Sequence, residues 1–283
     1  QLGLDAHDTE QLRRCVNERL GQLDAPACWQ EVIGSNLTKH HPFAVHQYIC
    51  DVIFEQWKGP RPIWLPSQPL IDRSNIGELM RRLSLPDYST LHHWSVDHRE
   101  VFWDLTIQTL DIQFVQRPSR IVDLNGGVEA PNWLVGAGLN IVDSCFLADA
   151  TNPAIVFDTD SGGIDHQTYG QLRALSNRVS NGLREAGFEP ADAIAIDMPM
   201  TPESVAIYLG IIQIGGIVIS IADSFAADEI TTRLRLGRAK TVFTQDLILR
   251  EGKILPLYER VVAAGAPISI EHVDRRVVSA VSQ

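Results

Sequence analysis

Residues Ala193 to Ile221 read AIAIDMPMTPESVAIYLGIIQIGGIVISI, and this run decides the fold. Its two ends, Ala193 to Met198 and Ile217 to Ile221, are short, apolar and rich in isoleucine, as strands buried on both faces of a parallel sheet are. Between them Thr201-Pro202-Glu203 opens a helix. The hydroxyl caps free N–H groups, the proline sits in the first turn where no donor is lost, and the early acid faces the positive end of the helix. The helix is expected to run to about Ile214 and to stop at Gly215-Gly216. Strand, helix and strand in that order make a βαβ unit.

The same letters admit one other reading. Val205 to Ala222 is a stretch of 18 residues without a charge, close to the roughly 20 that span a bilayer. Gln213 and the glycine pair interrupt it, and a buried helix followed by a buried strand explains it without lipid. No membrane span is expected.

Working outward, the period keeps switching between strand and helix from Asn152 onward. Ala154 to Asp158 is expected as a strand. Thr168 to Ala186 is expected as a helix, with Tyr169, Leu172, Leu175, Val179 and Leu183 on one face and Gly187 as its stop. Ala227 to Leu236 follows as helix, Thr241 to Thr244 as strand, and Leu255 to Ala264 as helix. Residues 1 to about 130 read differently, as helices joined by long loops such as GPRPIWLPSQP at Gly59 to Pro69. Within Leu91 to Phe114, Trp94, Val101, Leu105 and Ile112 can share one helical face. The expected fold class is therefore α/β: a helical N-terminal segment, 1–130, followed by repeated βαβ units of a mostly parallel sheet, 131–283.

Composition narrows the function classes. With 45% apolar and 21% charged residues the chain can bury a globular core. A net charge of −11 with scattered Lys and Arg argues against a nucleic-acid surface. Cys15, Cys28, Cys50 and Cys145 show no C-x-x-C spacing, so neither a zinc knuckle nor a disulfide framework is read, and a reducing compartment is expected. The opening QLGLDAHDTEQLRR has no apolar signal-peptide core, and a first residue of Gln1 leaves the natural start open.

Motifs exclude more than they assign. His40, His41 and His46, or His92, His93 and His98, lack metal-ligand spacing, so exposed or structural histidines are the plainer reading and no metal ligand is assigned. Val135-Gly136-Ala137-Gly138 begins a G-x-G turn, but the third glycine is missing and no core strand leads into it, which leaves a dehydrogenase a weak alternative. The sequence contains neither a G-x-x-x-x-G-K-[ST] loop nor a G-x-S-x-G elbow. From the residues alone no catalytic group can be named.

Particular strings go further, because they resemble the acetyl- and acyl-CoA synthetases of the adenylate-forming superfamily, most of all the acyl-activating enzymes of plants and some bacteria. Trp94-Ser95-Val96, Arg99-Glu100 and Phe102-Trp103 are similar to the packed N-terminal helices of that family. Trp133 to Asn140 looks like its W-x-x-G-G-x-L-N segment, with Ala137 in place of the second glycine. Thr168-Tyr169 with Leu172 matches the first core motif, and Ala195 to Met200 with Pro202-Glu203 resembles the M-P-M-x-P-E turn. Leu209 to Ser224, then Phe243 to Asp246 with Arg250 and Pro256-Leu257, continue in the same order over about 190 residues. Ile268 to Gln283 is expected to depart from the family.

The resemblance implies a reaction in which a carboxylate attacks ATP, with magnesium, to give an acyl-adenylate, and the thiol of coenzyme A then displaces AMP. It also implies that the family's phosphate loop ending in Pro-Lys, its adenine-binding acidic motif and its catalytic lysine all lie downstream; no catalytic residue is assigned here. A share of the coenzyme A site is implied at Arg250, Gly252 and Lys253, where the family carries an R-x-G-R turn. Two cations around a glycine suit a phosphate, although Lys253 keeps the charge and loses the bidentate fork. An ordinary solvated turn is the plainer reading of the same residues. Asp223-Ser224-Phe225 stands where the family has Gly-Gly-Phe, adding a negative charge.

Three readings of function stay open: an N-terminal fragment of an acyl-CoA ligase, inactive alone; a non-catalytic coenzyme A-binding or regulatory module, or half of an enzyme completed by a separate chain; and a remnant exposing an apolar sheet edge. The partners expected are a small carboxylate and coenzyme A. The compartment expected is the cytoplasm, since Val281-Ser282-Gln283 is not an S-K-L address; the peroxisome is the alternative for a plant source.

Overall fold

The computed structural model describes residues 4–159, 162–250 and 253–266, with the backbone alone at 249, 250 and 253. Two compact units divide it, Gln1–Asp97 and His98–Gln283. The boundary expected near residue 130 lies within the second of these units.

The first unit is helical: α1 (Ala6–Leu20), α2 (Ala25–Ser35), α3 (Phe43–Ile53), α4 (Gln68–Arg73), α5 (Asn75–Leu83) and α6 (Tyr88–Asp97). Asp5 and Asp24 start the first two helices, each accepting the N–H three residues on, at 2.7 and 2.8 Å. Leu12, Cys15 and Val16 of α1 then meet Cys28 and Val32 of α2 and Val45, Ile49 and Ile53 of α3 in one core. These positions recur every three or four residues, so each helix buries a single stripe.

The second unit opens with α7 (Arg99–Thr109), β1 (Arg120–Asp123), β2 (Asn132–Val135), α8 (Ile141–Cys145), β3 (Pro153–Asp158), β4 (Ile164–Thr168) and α9 (Tyr169–Glu185). It continues with β5 (Ala193–Asp197), α10 (Pro202–Gln213), β6 (Ile217–Ile221), α11 (Ala227–Gly237), β7 (Thr241–Thr244), β8 (Leu247–Arg250), β9 (Lys253–Pro256) and α12 (Leu257–Ala263). Strands β6, β5 and β7 lie side by side in that order, all parallel. Successive side chains alternate across β5. Ile194 and Ile196 pack with Leu183 of α9 and Ile207 and Ile211 of α10, whereas Ala195 packs with Ile230 and Leu234 of α11. Helices therefore cover both faces, and the connections leaving β5 and β6 depart to opposite sides.

Capping is as the sequence requires. Thr168 accepts from the N–H of Gln171 at 3.2 Å and Thr201 from that of Ser204 at 3.2 Å. Gly187 sits at φ 83°, where a side chain would be strained. At Gly210 of α10 the helix meets α9 so closely that an added Cβ would lie 2.7 Å from Val179.

Three expectations are corrected. Leu91 to Phe114 is not one helical face: the helix breaks at His98, at ψ 45°, and α7 ends before Asp111, at φ 50°. Ala154 to Asp158 is a strand, but it pairs antiparallel with β4 rather than joining the parallel sheet. Ile164-Asp165-His166-Gln167 offers no apolar alternation, so the turn that closes the hairpin, with the Thr159 N–H donating to Gly163 at 2.7 Å, left little trace in the pattern. The last helix starts at Leu257 rather than Leu255, because Leu255 and Pro256 complete an antiparallel hairpin.

Candidate functional site

In an open parallel sheet the strand ends where ligands gather are the carboxyl ends, beside the point where connections leave in opposite directions. Here that place is the end of β5. All five residues of β5 are buried, and the last is Asp197, with 0% exposure. By alternation its side chain lies on the face covered by α11 and α12. Both carboxylate oxygens are buried without a hydrogen-bond partner. Thr244, the register partner of Asp197 on β7, also has a buried hydroxyl without a partner. Burial pushes the Asp197 carboxyl up to about 6, with Arg260 pulling it down and Asp223 pushing it further up.

The turn after β6 closes the same edge. The Phe225 N–H donates to the carbonyl of Ala222 at 3.0 Å. Arg260, on α12, donates from Nη1 to the carbonyls of Asp223 and Phe225 at 2.8 and 2.9 Å. The Arg233 guanidinium stacks 3.8 Å from the centre of the Phe225 ring. Asp223-Ser224-Phe225 is thus held from two helices.

The basic turn stands on a hairpin that leaves from β7. Leu247 pairs with Pro256 and Arg250 with Lys253, so the two basic positions face each other as backbone partners. Gly252 of the expected site lies outside the described residues. The base of the hairpin closes where the N–H groups of Leu257 and Tyr258 donate to the carbonyl of Asp246 at 3.1 and 3.2 Å. Four residues of extended chain, about 13 Å, separate that base from Arg250.

Asp197, Thr244 and Arg260 were not singled out by the sequence reading. One signal could have found the first: an aspartate at the end of a strand whose other residues are all apolar, at a position where alternation calls for a core side chain.

The remaining candidates have local explanations. His41 accepts the Thr38 N–H through Nδ1 at 2.9 Å, and His46 Nε2 lies 3.0 Å from the Thr38 carbonyl. Among the described residues no three His, Cys, Asp or Glu side chains gather around a metal position. Val135 to Gly138 ends a strand paired antiparallel with β1, and Gly138 bridges to Gln116; the helix that follows, α8, is only five residues long, and the strand before it is not one of the parallel core strands that a dinucleotide-binding turn leaves. An open groove of about 600 Å³ lies between β4, α9 and the start of α10, where Arg178 and Glu203 bring opposite charges to its lining. Among the described residues no helix is long and apolar enough to cross a membrane.

The family model described as AMP-binding enzyme matches residues 148–280. That match runs past Ile268, which corrects the expectation that the likeness ends there. Among curated relatives, acyl-activating enzyme 18 of Arabidopsis thaliana is 36% identical, the match covering 93% of this chain and 40% of the relative. Hexanoyl-CoA synthase of Cannabis sativa is 35% identical, with 95% of this chain and 41% of the relative covered. The chain thus spans about 40% of the length of these relatives. In structure it is similar to an acetoacetyl-CoA synthetase from Streptomyces lividans, with a TM-score of 0.65, 24% identity, and coverage of 72% of this chain and 33% of that one; this likeness speaks to the fold.

Proposed function

This chain belongs to the AMP-binding enzyme family, and from that premise we propose that it is the N-terminal part of an ATP-dependent acyl-CoA ligase, without turnover alone. The parent reaction is carboxylate, ATP and coenzyme A going to acyl-CoA, AMP and diphosphate, with magnesium. The substrate class is a small or medium carboxylate. Support comes from the relatives: two are named acyl-activating enzyme 18 and hexanoyl-CoA synthase, and the chain spans about 40% of each.

The part of that chemistry assigned to this chain is a share of the coenzyme A site at Arg250, Gly252 and Lys253. One observation supports it above the others: Arg250 and Lys253 are direct register partners flanking the hairpin loop. Backbone partners across a strand pair bring Cβ atoms to within about 5.5 Å, so two cations can meet one phosphate. Coenzyme A would supply the thiol and the phosphates; the chain's share is to hold charge against those phosphates. Asp223, standing for a glycine, works against an anion if the turn after β6 approaches the same ligand.

Calorimetric titration of the purified chain with coenzyme A tests this reading, repeated with Arg250→Ala/Lys253→Ala. Saturable binding lost in the double variant is the expected result. Absence of binding by a well-folded chain removes the coenzyme A assignment. Turnover by the chain alone with ATP, magnesium, coenzyme A and acetate, butyrate or hexanoate removes the inactive-fragment assignment. The second reading, a binding module or a half completed by a separate chain, gains if coenzyme A binds and a chain carrying the remaining motifs restores turnover. The compartment proposed is the cytoplasm; the names of two plant relatives include the peroxisome, which is the alternative.

A further inference from the structure

Arg260 is half-buried, and only its Nη1 engages the turn, reaching two backbone carbonyls at once. A guanidinium has five N–H donors in a planar fork, well matched to a carboxylate. A wholly buried carboxyl, that of Asp197, lies within the field of this guanidinium and accepts no hydrogen bond. The neutral and charged forms of Asp197 ask for different neighbours. A neutral carboxyl tolerates the uncharged neighbour it has at the paired position, Thr244, whose hydroxyl makes no hydrogen bond to it in this structure. A carboxylate buried without a partner is costly, and a guanidinium can close two parallel N–H···O bonds on one carboxylate, whereas the two carbonyls here are both served by Nη1 alone.

We propose that Arg260 is a positioning residue for the turn Asp223–Phe225 and that Asp197 governs it through its proton. With Asp197 neutral, Arg260 stays on the two carbonyls and the turn is held. With Asp197 ionised, the proton having gone to solvent, the guanidinium is drawn to the carboxylate and the turn is released. The bearing on coenzyme A rests on the reading above, extended to a ligand that reaches from the basic hairpin to this turn.

The charges that act on Asp197 come from two elements. Arg260 stands on α12 and Asp223 on the β6–α11 connection. Flanking strands β6 and β7 pair Asp197 with Ile221 and Thr244, and α11 presents Ile230 and Leu234 to this face. The Asp223 carboxylate opposes ionisation of Asp197 and Arg260 favours it. Burial is the largest influence and acts with Asp223 against Arg260, so release belongs near pH 6 rather than near 4.

Hydrogen exchange at the Phe225 amide, whose bond to Ala222 closes the turn, reads the latch directly on the whole chain. After correction for intrinsic exchange, protection in the unsubstituted chain is expected to fall about fivefold or more between about pH 5 and pH 7.5. Asp197→Asn is expected to keep protection high at both, Arg260→Gln to keep it low at both, and Arg260→Lys to restore part of the pH dependence. A flat profile in the unsubstituted chain, or an unchanged profile in Asp197→Asn, overturns the proposal. If Arg260→Gln does not fold, the ¹³C titration of the Asp197 carboxyl decides; a midpoint in the ordinary range near 4 overturns it. Coenzyme A titrated at both pH values separates the two readings. A pH-dependent turn with no coenzyme A binding upholds the latch and removes the coenzyme A assignment; binding with a flat profile does the reverse.

Discussion

Asp192 and Asp197 bracket one strand, and their surroundings are opposite. Asp192 precedes β5 at its amino end, 9% exposed. It accepts the Glu189 N–H at 3.0 Å and pairs with Lys240, which lies just ahead of β7. The N–H first, and Lys240 after it, hold its carboxyl below the usual range. Asp197 ends the same strand with no exposure and no partner, and burial pushes it up to about 6. One aspartate is a finished structural fixture. The other is left unfinished at the strand end where parallel sheets receive ligands.

The linkage signs differ accordingly. A lowered carboxyl at Asp192 contributes stability above its unfolded value, and that contribution is lost as pH falls. A raised carboxyl at Asp197 contributes stability in full below its ordinary value of 3.8, and loses it as pH rises through about 6.

Substitutions can sharpen or break this contrast. Gly210→Val sets the baseline, because it jams α10 against Val179 of α9 without touching either aspartate. A loss of roughly 3 kcal/mol in urea unfolding is expected, equal at pH 5 and pH 8; a pH-dependent loss would mean the packing is coupled to the strand ends. Asp197→Asn is expected to raise stability by about 2 kcal/mol near pH 8 and to change it little near pH 4, because the cost of ionising a buried carboxyl is gone. Equal effects at the two pH values would break the contrast. Thr244→Val removes a buried hydroxyl that has no partner, and a change within about 1 kcal/mol of zero is expected near pH 8; a large loss there would reveal a bond that the structure does not show. Lys240→Ala is expected to produce the smallest effect, a slight fall in Tm at low salt that vanishes at high salt, since the lysine is largely exposed.

Much of the fold was legible because caps and periods are local. Thr168, Thr201, Pro202 and Gly187 mark helix ends by chemistry confined to a few residues, and the structure has those ends within a residue or two. The hairpins β3–β4 and β8–β9 were not legible. Their pairing depends on register between polar or mixed strands, and the two letters Glu251-Gly252 between the paired Arg250 and Lys253 are a weak signal beside a charged flank. The basic hairpin residues could be named from resemblance, while Arg260 and Asp197 could not be linked: 63 positions separate them, and only the packing of α12 over the sheet brings their charges within range.

What the sequence determined by itself is the alternation of buried strands and capped helices from Asn152 onward, together with the family to which that order belongs. Both depend on neighbours in the chain, whose spacing fixes a period and a cap wherever the segment ends up. Only the tertiary structure decided that three strands run parallel in the order β6, β5, β7, and that Asp197 lies in register with Thr244 there without a hydrogen-bond partner. The cost of a buried carboxylate depends on what surrounds it in space, and distance along the chain does not encode that.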